Sequence, residues 1–384
     1  MKKIFKYSMM FAAALTLAMG FTSCSDDDND DAITFESSVL SKVNTEYVDN
    51  TIVPTYRTLA DYSGQLVDAV TSMQDDAGVE KACNIWKSSR KWWEFSEAFL
   101  FGAAGDFAID PHIDTWPFDK TAFDNMMSKY NPATNEEDAK NIDETIRGTQ
   151  SLTGFHAVEY LIFRDGQPRK FSALSADEIY FIKSAALDLY LNSLKLVSAW
   201  GGEVSEAEQA LLDDNEFDSK NYGEEFKNAG KSGSNYTTIM LATRQIIAGA
   251  QDIIGEVSDS KIGSPATGED PNYIESPNAY NSIQDFYDNI MSCKHALYGG
   301  YDVDGKTPKS SSLIGVCLAK SETKAAAEDV MEKLENALTK IDSMKKPFVL
   351  YYTDQSAKDA MSALNELNTS LQKLDDILNG AELK

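Results

Sequence analysis

The chain has 384 residues, with 35 Lys and Arg against 61 Asp and Glu, for a formal net charge of −26 with histidine neutral. So acidic a balance excludes nucleic acid as a partner, whose phosphates would be repelled, and favours attraction of cations or simply a surface that resists aggregation. Cys83, Cys293 and Cys317 are widely spaced with no CxxC, which excludes a disulfide framework or zinc ribbon and reads as small buried hydrophobes.

The N-terminus opens with Lys2, Lys3 and Lys6, followed by the apolar run "MMFAAALTLAMGF". Residues 1–23 read as a secretory leader, too short and wrongly flanked to be a membrane span. Its ending "FTSC" resembles a bacterial lipobox, in which Cys24 becomes the lipidated first residue of the mature chain. Two acyl chains would hold it firmly to a membrane where one gives only marginal binding. The acidic run "SDDDNDD" (Ser25–Asp31) cannot form a core, so residues 24–34 read as a solvated leash. Its position also resembles the export tag of surface lipoproteins. The expected location is the cell envelope, lipid-anchored in the outer membrane and exposed at the surface. Loss of the leader lysines takes the mature net charge to about −29.

Helical periodicity dominates the remainder. Candidate helices run over Val39–Met73, Val79–Phe101, Ile142–Phe163, Ala176–Trp200, Tyr236–Val257 and Ile283–Tyr298. Val330, Leu334, Leu338 and Ile341 form one amphipathic stripe within Ala325–Ile341, and Ala357, Met361, Leu364, Leu371 and Leu378 form another. "FVLYY" is read as a strand or extended loop. This pattern predicts an all-α fold of two packed helical bundles. The length supports two domains, 35–200 and 201–384, with the boundary in the polar stretch Trp200–Glu225. A second breaker, "KIGSPATGEDPNYIESPNAY", is long for a structureless loop, and a functional role and a surface excursion are both open for it.

Two helices carry ionisable groups where apolar ones are expected. In "RKWWEFSEAFLFG", Arg90 and Glu97 fall on the stripe of Val79, Cys83, Trp86, Trp93 and Leu100, and Glu94 lies four residues after Arg90. Buried charge is costly unless paired or metal-bound, so an Arg90–Glu94 or Arg90–Glu97 ion pair is one reading. In "GFHAVEYLIF", His156 and Glu159 sit three residues apart on one helical face among apolar neighbours. Such a pair, with carboxylates from Glu94-x-x-Glu97, could form a metal site within a bundle; a satisfied core hydrogen bond is the alternative.

"GFHAVEYLIF" resembles the Gly-x-His-x-x-Glu signature of the imelysin family. "WEFSEAFLFG" is similar to that family's Trp-Glu-x-Ser-Glu-Ala-Phe-x-Phe-Gly segment, and "IDTWPFD" to its Trp-Pro segment. "ESPNAYNSIQDFYDNIMSCKHALYGG" resembles its conserved stretch in the second half, although "ESPNAY" departs from the more usual Phe-Ser. The resemblance implies an all-helical, two-bundle protein, exported or lipid-anchored, in a family that includes iron-regulated proteins and is classified among metallopeptidases. It also implies signature residues Gly154, His156 and Glu159, with Glu97, Trp116 and Asp114 beside them.

A catalytic zinc normally holds three protein ligands and a water, with a general base nearby. The mature chain has His112, His156 and His295 and no His-Glu-x-x-His. His112 is expected to be solvated in a loop and His295 to be a core or interface residue. Nucleophile motifs are absent too. Binding requires less: an imidazole with carboxylates suits iron or another oxygen-preferring divalent ion. The expectation is a non-catalytic metal site of His156, Glu159 and Glu97, taking iron or zinc or a metal-containing ligand. Glu94, Arg90, Asp114, Trp116 and Gly154 would line an interdomain cleft, and an envelope transport partner would act with it in iron acquisition. A metallopeptidase is the alternative, and a structural surface protein a third.

Overall fold

The computed structural model describes residues 33–384; the leader, Cys24 and the leash as far as Ala32 lie outside the described residues. Helix α1 (Ser37–Tyr47) passes through a π-helical turn (Val48–Ile52) and continues unbroken as α2 (Val53–Thr71). Pro54 accounts for the widened turn. It has no N–H for the Asn50 carbonyl four residues back, and its ring would clash there in a regular helix. That carbonyl instead accepts the Tyr301 backbone N–H at 2.9 Å.

Helix α3 (Asp76–Glu94) starts where the Asp75 side chain accepts the Gly78 N–H, an N-cap that satisfies one otherwise orphaned donor. Short helices α4 (Ala103–Asp106), α5 (Ile109–Ile113) and α6 (Lys120–Met127) lead to α7 (Glu136–Gly148), α8 (Gly154–Ile162) and α9 (Ala176–Ala199). Helix α9 opens with a reciprocal capping box between Ser175 and Glu178. Helices α2, α3, α8 and α9 pack together. The hydroxyls of Ser63, Ser89 and Ser193 meet at 2.9 and 3.2 Å where α2, α3 and α9 approach.

After α10 (Glu206–Asp214) and α11 (Tyr222–Lys227), α12 (Ile239–Gly255) runs through a second π-helical turn (Glu256–Ile262) into α13 (Gly263–Thr267). Then come α14 (Ser282–Tyr298), α15 (Leu313–Leu318), α16 (Ser321–Asp342), α17 (Phe348–Tyr351) and α18 (Gln355–Asn379). Helices α12, α14, α16 and α18 form the second group. The groups interlock: α1 packs along α12, and strand β1 (Thr34–Phe35) pairs in parallel with the C-terminal strand Glu382–Leu383. Residues Ile33–Lys384 form one compact unit. Gly249 on α12 allows a close approach to the turn after α3, because a Cβ there would lie 2.1 Å from the Ala98 carbonyl oxygen.

Two sequence expectations are corrected. The candidate helix Ile142–Phe163 is two helices, α7 and α8, because Thr149 is extended and Gly154 takes the left-handed φ of +74°. "FVLYY" is not a strand but the helical turn α17, with Phe348 packed edge-on against Phe286 at 5.2 Å and Leu350 and Tyr351 exposed, so no alternating face is buried.

Candidate metal centre

The site begins on α3. Arg90, Trp93 and Glu94 share one face, and the chain then tightens into a 3-10 turn (Glu97–Phe99) that keeps Glu97 beside them. Asp114 follows the end of α5, His156 and Glu159 project from α8, and Lys261 comes from the second π-helical turn. Glu275 lies in the loop after α13, and Asp285 on α14. All ten are at most 6% exposed.

Arg90 is the hub. Its guanidinium pairs with Asp114 and Glu94, meets Glu275 Oε1 at 2.6 Å and lies 3.8 Å from Asp285. Lys261 Nζ reaches the same Glu275 oxygen at 2.9 Å and stands 3.6 Å from Glu94. Trp93 Nε1 donates to the other Asp114 oxygen at 2.7 Å. Six buried carboxylates of the cluster (Glu94, Glu97, Asp114, Glu159, Glu275 and Asp285) thus stand against two buried cations, Arg90 and Lys261. Buried charge in excess must be met by protons or by another cation. Burial pushes Glu94 and Glu97 well above the usual carboxylate range and Asp285 up to about 7, with Arg90 partly opposing at Glu94 and Asp285 and Lys261 at Glu97. Asp114 goes the other way: burial raises it, but Arg90 and His156 hold it well below its ordinary value.

His156 Nδ1 lies 3.3 Å from Glu159 Oε2, and Nε2 lies 3.1 Å from Asp114 Oδ1. The latter approach is off the line of a good hydrogen bond, so Nε2 is buried without a hydrogen-bond partner. Burial lowers the affinity of this imidazole for its proton, yet Asp114 and Glu159 outweigh that and raise its pKa to about 9. The second Glu159 oxygen accepts the backbone N–H groups of Asn278 and Ala279 at 2.7 and 2.8 Å.

The donors that could hold a cation are therefore not the set expected from sequence. Asp114, His156 and Glu275 each offer a ligand atom within 4.8 Å of the others. Glu275 Oε2, like His156 Nε2, is buried without a partner. One imidazole and two carboxylates fit an iron- or zinc-like ion. Glu97 groups instead with Glu94 and Asp114, while Glu159 belongs to no such group among the described residues and is engaged by His156 and the loop amides. A further group, Glu94, Glu275 and Asp285, already faces the Arg90 guanidinium.

The predicted lining residues Arg90, Glu94, Asp114 and Trp116 all reach this cluster. The Trp116 ring lies 4.9 Å from Lys261 Nζ and 5.3 Å from the Tyr273 ring. Gly154 is required sterically: a Cβ there would lie 2.1 Å from the Ile113 carbonyl oxygen. Where an open cleft was expected, the loop carrying Glu275, pinned by Glu159, closes over the charges. A separate surface hollow of about 400 Å³ is lined by Tyr280, Ile283, Gln284, Lys346 and Pro347. His112 is not solvated but paired with Asp188 at 2.7 Å; His295 is buried against Phe95 at 4.6 Å. Sequence reasoning missed Lys261, Glu275 and Asp285. Glu275 lies in a stretch already quoted, and Asp285 and Asp288 interrupt the apolar pattern of α14, a signal that could have been used.

The sequence is 28% identical over 262 residues to iron-regulated protein A of Synechococcus elongatus, an alignment covering 67% of this chain and 64% of that protein. The crystal structure of a protein described as an iron-regulated protein A precursor from Parabacteroides distasonis shares the fold, with a TM-score of 0.76, 24% identity and coverage of 90% of this chain and 96% of that one. An imelysin-like protein from Psychrobacter arcticum matches with a TM-score of 0.60 and 12% identity, over 90% and 95% of the two chains. The Imelysin family model matches residues 52–375, and the chain belongs to the imelysin family.

Proposed function

We propose that this protein binds a divalent transition-metal ion, or the metal of a small metal-containing ligand, through Asp114, His156 and Glu275. It would do so in iron acquisition at the cell envelope, held there by a lipid on Cys24. The reading is carried by His156 Nε2 and Glu275 Oε2, two buried polar atoms without hydrogen-bond partners that, together with Asp114, belong to one potential ligand set. The ion would take the place of protons in this acidic cluster, His156 giving up its own proton to ligate. Glu159 would orient the imidazole from behind, as outer-sphere carboxylates do at metal-bound histidines. The name of the Synechococcus relative, an iron-regulated protein, supports the iron connection.

Burial favours binding over peptidase chemistry. A peptide would have to reach ligands that are each at most 3% exposed, whereas a catalytic zinc keeps an open position. Iron(II) and zinc uptake by the purified mature chain, compared with Glu275→Gln and His156→Ala, tests the site. Near-stoichiometric metal in the wild type and its loss in both variants is expected; equal metal content in all three would refute the assignment. Chelator-sensitive peptide cleavage abolished by Glu159→Ala would establish the peptidase instead. Membrane fractionation of wild type and Cys24→Ala tests the anchor.

A further inference from the structure

Asp188 lies on α9, outside every motif considered so far, and is 7% exposed. Its Oδ2 stands 2.7 Å from His112 Nε2 and accepts the Thr153 hydroxyl at 3.4 Å. His112 lies two residues before Asp114 in α5, and Thr153 immediately precedes Gly154 at the start of α8. Between these anchor points the two segments are in backbone contact, since no Cβ can be inserted between Gly154 and the Ile113 carbonyl. One carboxylate therefore reaches from α9 to both pieces of chain that deliver candidate ligands.

We infer that Asp188 is a positioning residue of the candidate metal centre, clamping the His112 and Thr153 side chains so that Asp114 and His156 are presented together. Trp93 Nε1 on α3 donates to Asp114 Oδ2 at 2.7 Å and Trp86 Nε1 to the Phe155 carbonyl at 3.0 Å, each holding one segment, whereas Asp188 meets both segments at a single oxygen. Helix α5 spans only Ile109–Ile113, and α8 begins without a side-chain cap. A hydrogen bond from each to the same buried oxygen fixes their separation, and a metal site depends on its ligands being held within a fraction of an ångström. The effect on metal rests on the function proposed above; the clamp itself does not.

The test uses the chain without its leader carrying Asp188→Ala and, because removing a buried carboxylate can prevent folding, also Asp188→Asn. The Asn side chain fills the same space and keeps an acceptor for His112. Hydrogen–deuterium exchange is followed in residues 109–116 and 150–157, and cobalt(II) binding is followed by its visible absorption. Asp188→Ala should raise exchange in both segments together and weaken cobalt binding 10- to 100-fold, roughly the range for outer-sphere partners. Asp188→Asn should show the same changes at smaller size. Unchanged exchange, loosening of one segment alone, or cobalt affinity and spectrum unaltered despite loosening would each overturn the inference. If the wild type takes no cobalt while both segments loosen, the metal reading fails and the clamp stands.

Discussion

Glu159 Oε1 accepts the backbone N–H groups of Asn278 and Ala279 at 2.7 and 2.8 Å, so a carboxylate on α8 holds down the loop that carries Glu275. Hydrogen bonds to charged groups contribute roughly 1.5–3 kcal/mol each. Glu159→Ala should therefore lower stability by about 3 kcal/mol or more and raise amide exchange through residues 275–281. Glu159→Gln, which keeps an oxygen acceptor, should lose less. A Glu159→Ala protein that melts like the wild type would show that the loop is held by other contacts.

Removing the hub should be costlier than any surface change. Arg90 is fully buried among four carboxylates, and breaking a buried ion pair by deleting one partner costs about 3–5 kcal/mol. Arg90→Leu should cost at least that in urea unfolding, and Arg90→Lys should rescue little, because one ammonium cannot replace the planar fork. Full rescue by Lys would mean that charge alone, not geometry, holds the cluster.

Gly154→Ala should be destabilising by about 3 kcal/mol or more, since it combines a left-handed backbone with a backbone clash. The segments carrying Asp114 and His156 must separate to admit the methyl group. Metal uptake should fall with stability; a change below about 0.5 kcal/mol would contradict the close packing.

Acid sensitivity should trace in part to His295. Burial, reinforced by Lys91 and Lys294, pushes its pKa down to about 3. The unfolded chain binds this proton near pH 6.5, so the stability contribution is present above that pH and is lost as pH falls toward 3. Asp288 has the opposite sign. Burial raises its pKa to about 8, so its contribution is present below about pH 4 and is lost as pH rises through 8. Thermal melts from pH 4 to 8.5 should show a shallower acid limb for His295→Gln and a shallower alkaline limb for Asp288→Asn. Limbs parallel to wild type would remove these groups from the account.

The helices were legible because a 3.6-residue apolar period survives in one dimension: Ala176–Ala199 and Ser282–Tyr298 lie within a residue of where the pattern puts them. The break between α7 and α8 was not, because Leu152 and Phe155 continue the apolar run across it and only the backbone of Gly154 reveals the turn. The imidazole and carboxylate of α8 were visible as charges out of place, but not their division of labour. His156 joins Asp114 and Glu275, while Glu159 turns to a loop some 120 residues away in sequence.

Local order thus follows from composition: an acidic, helical chain of the imelysin kind, with a buried His and Glu in its central helix. Which carboxylates meet that imidazole was set by long-range packing. Asp114, Lys261, Glu275 and Asp285 arrive from a helix end, a π-helical turn, a loop and a separate helix. No periodicity links such positions, because the Coulomb forces that join them depend on distance in space and not on separation along the chain.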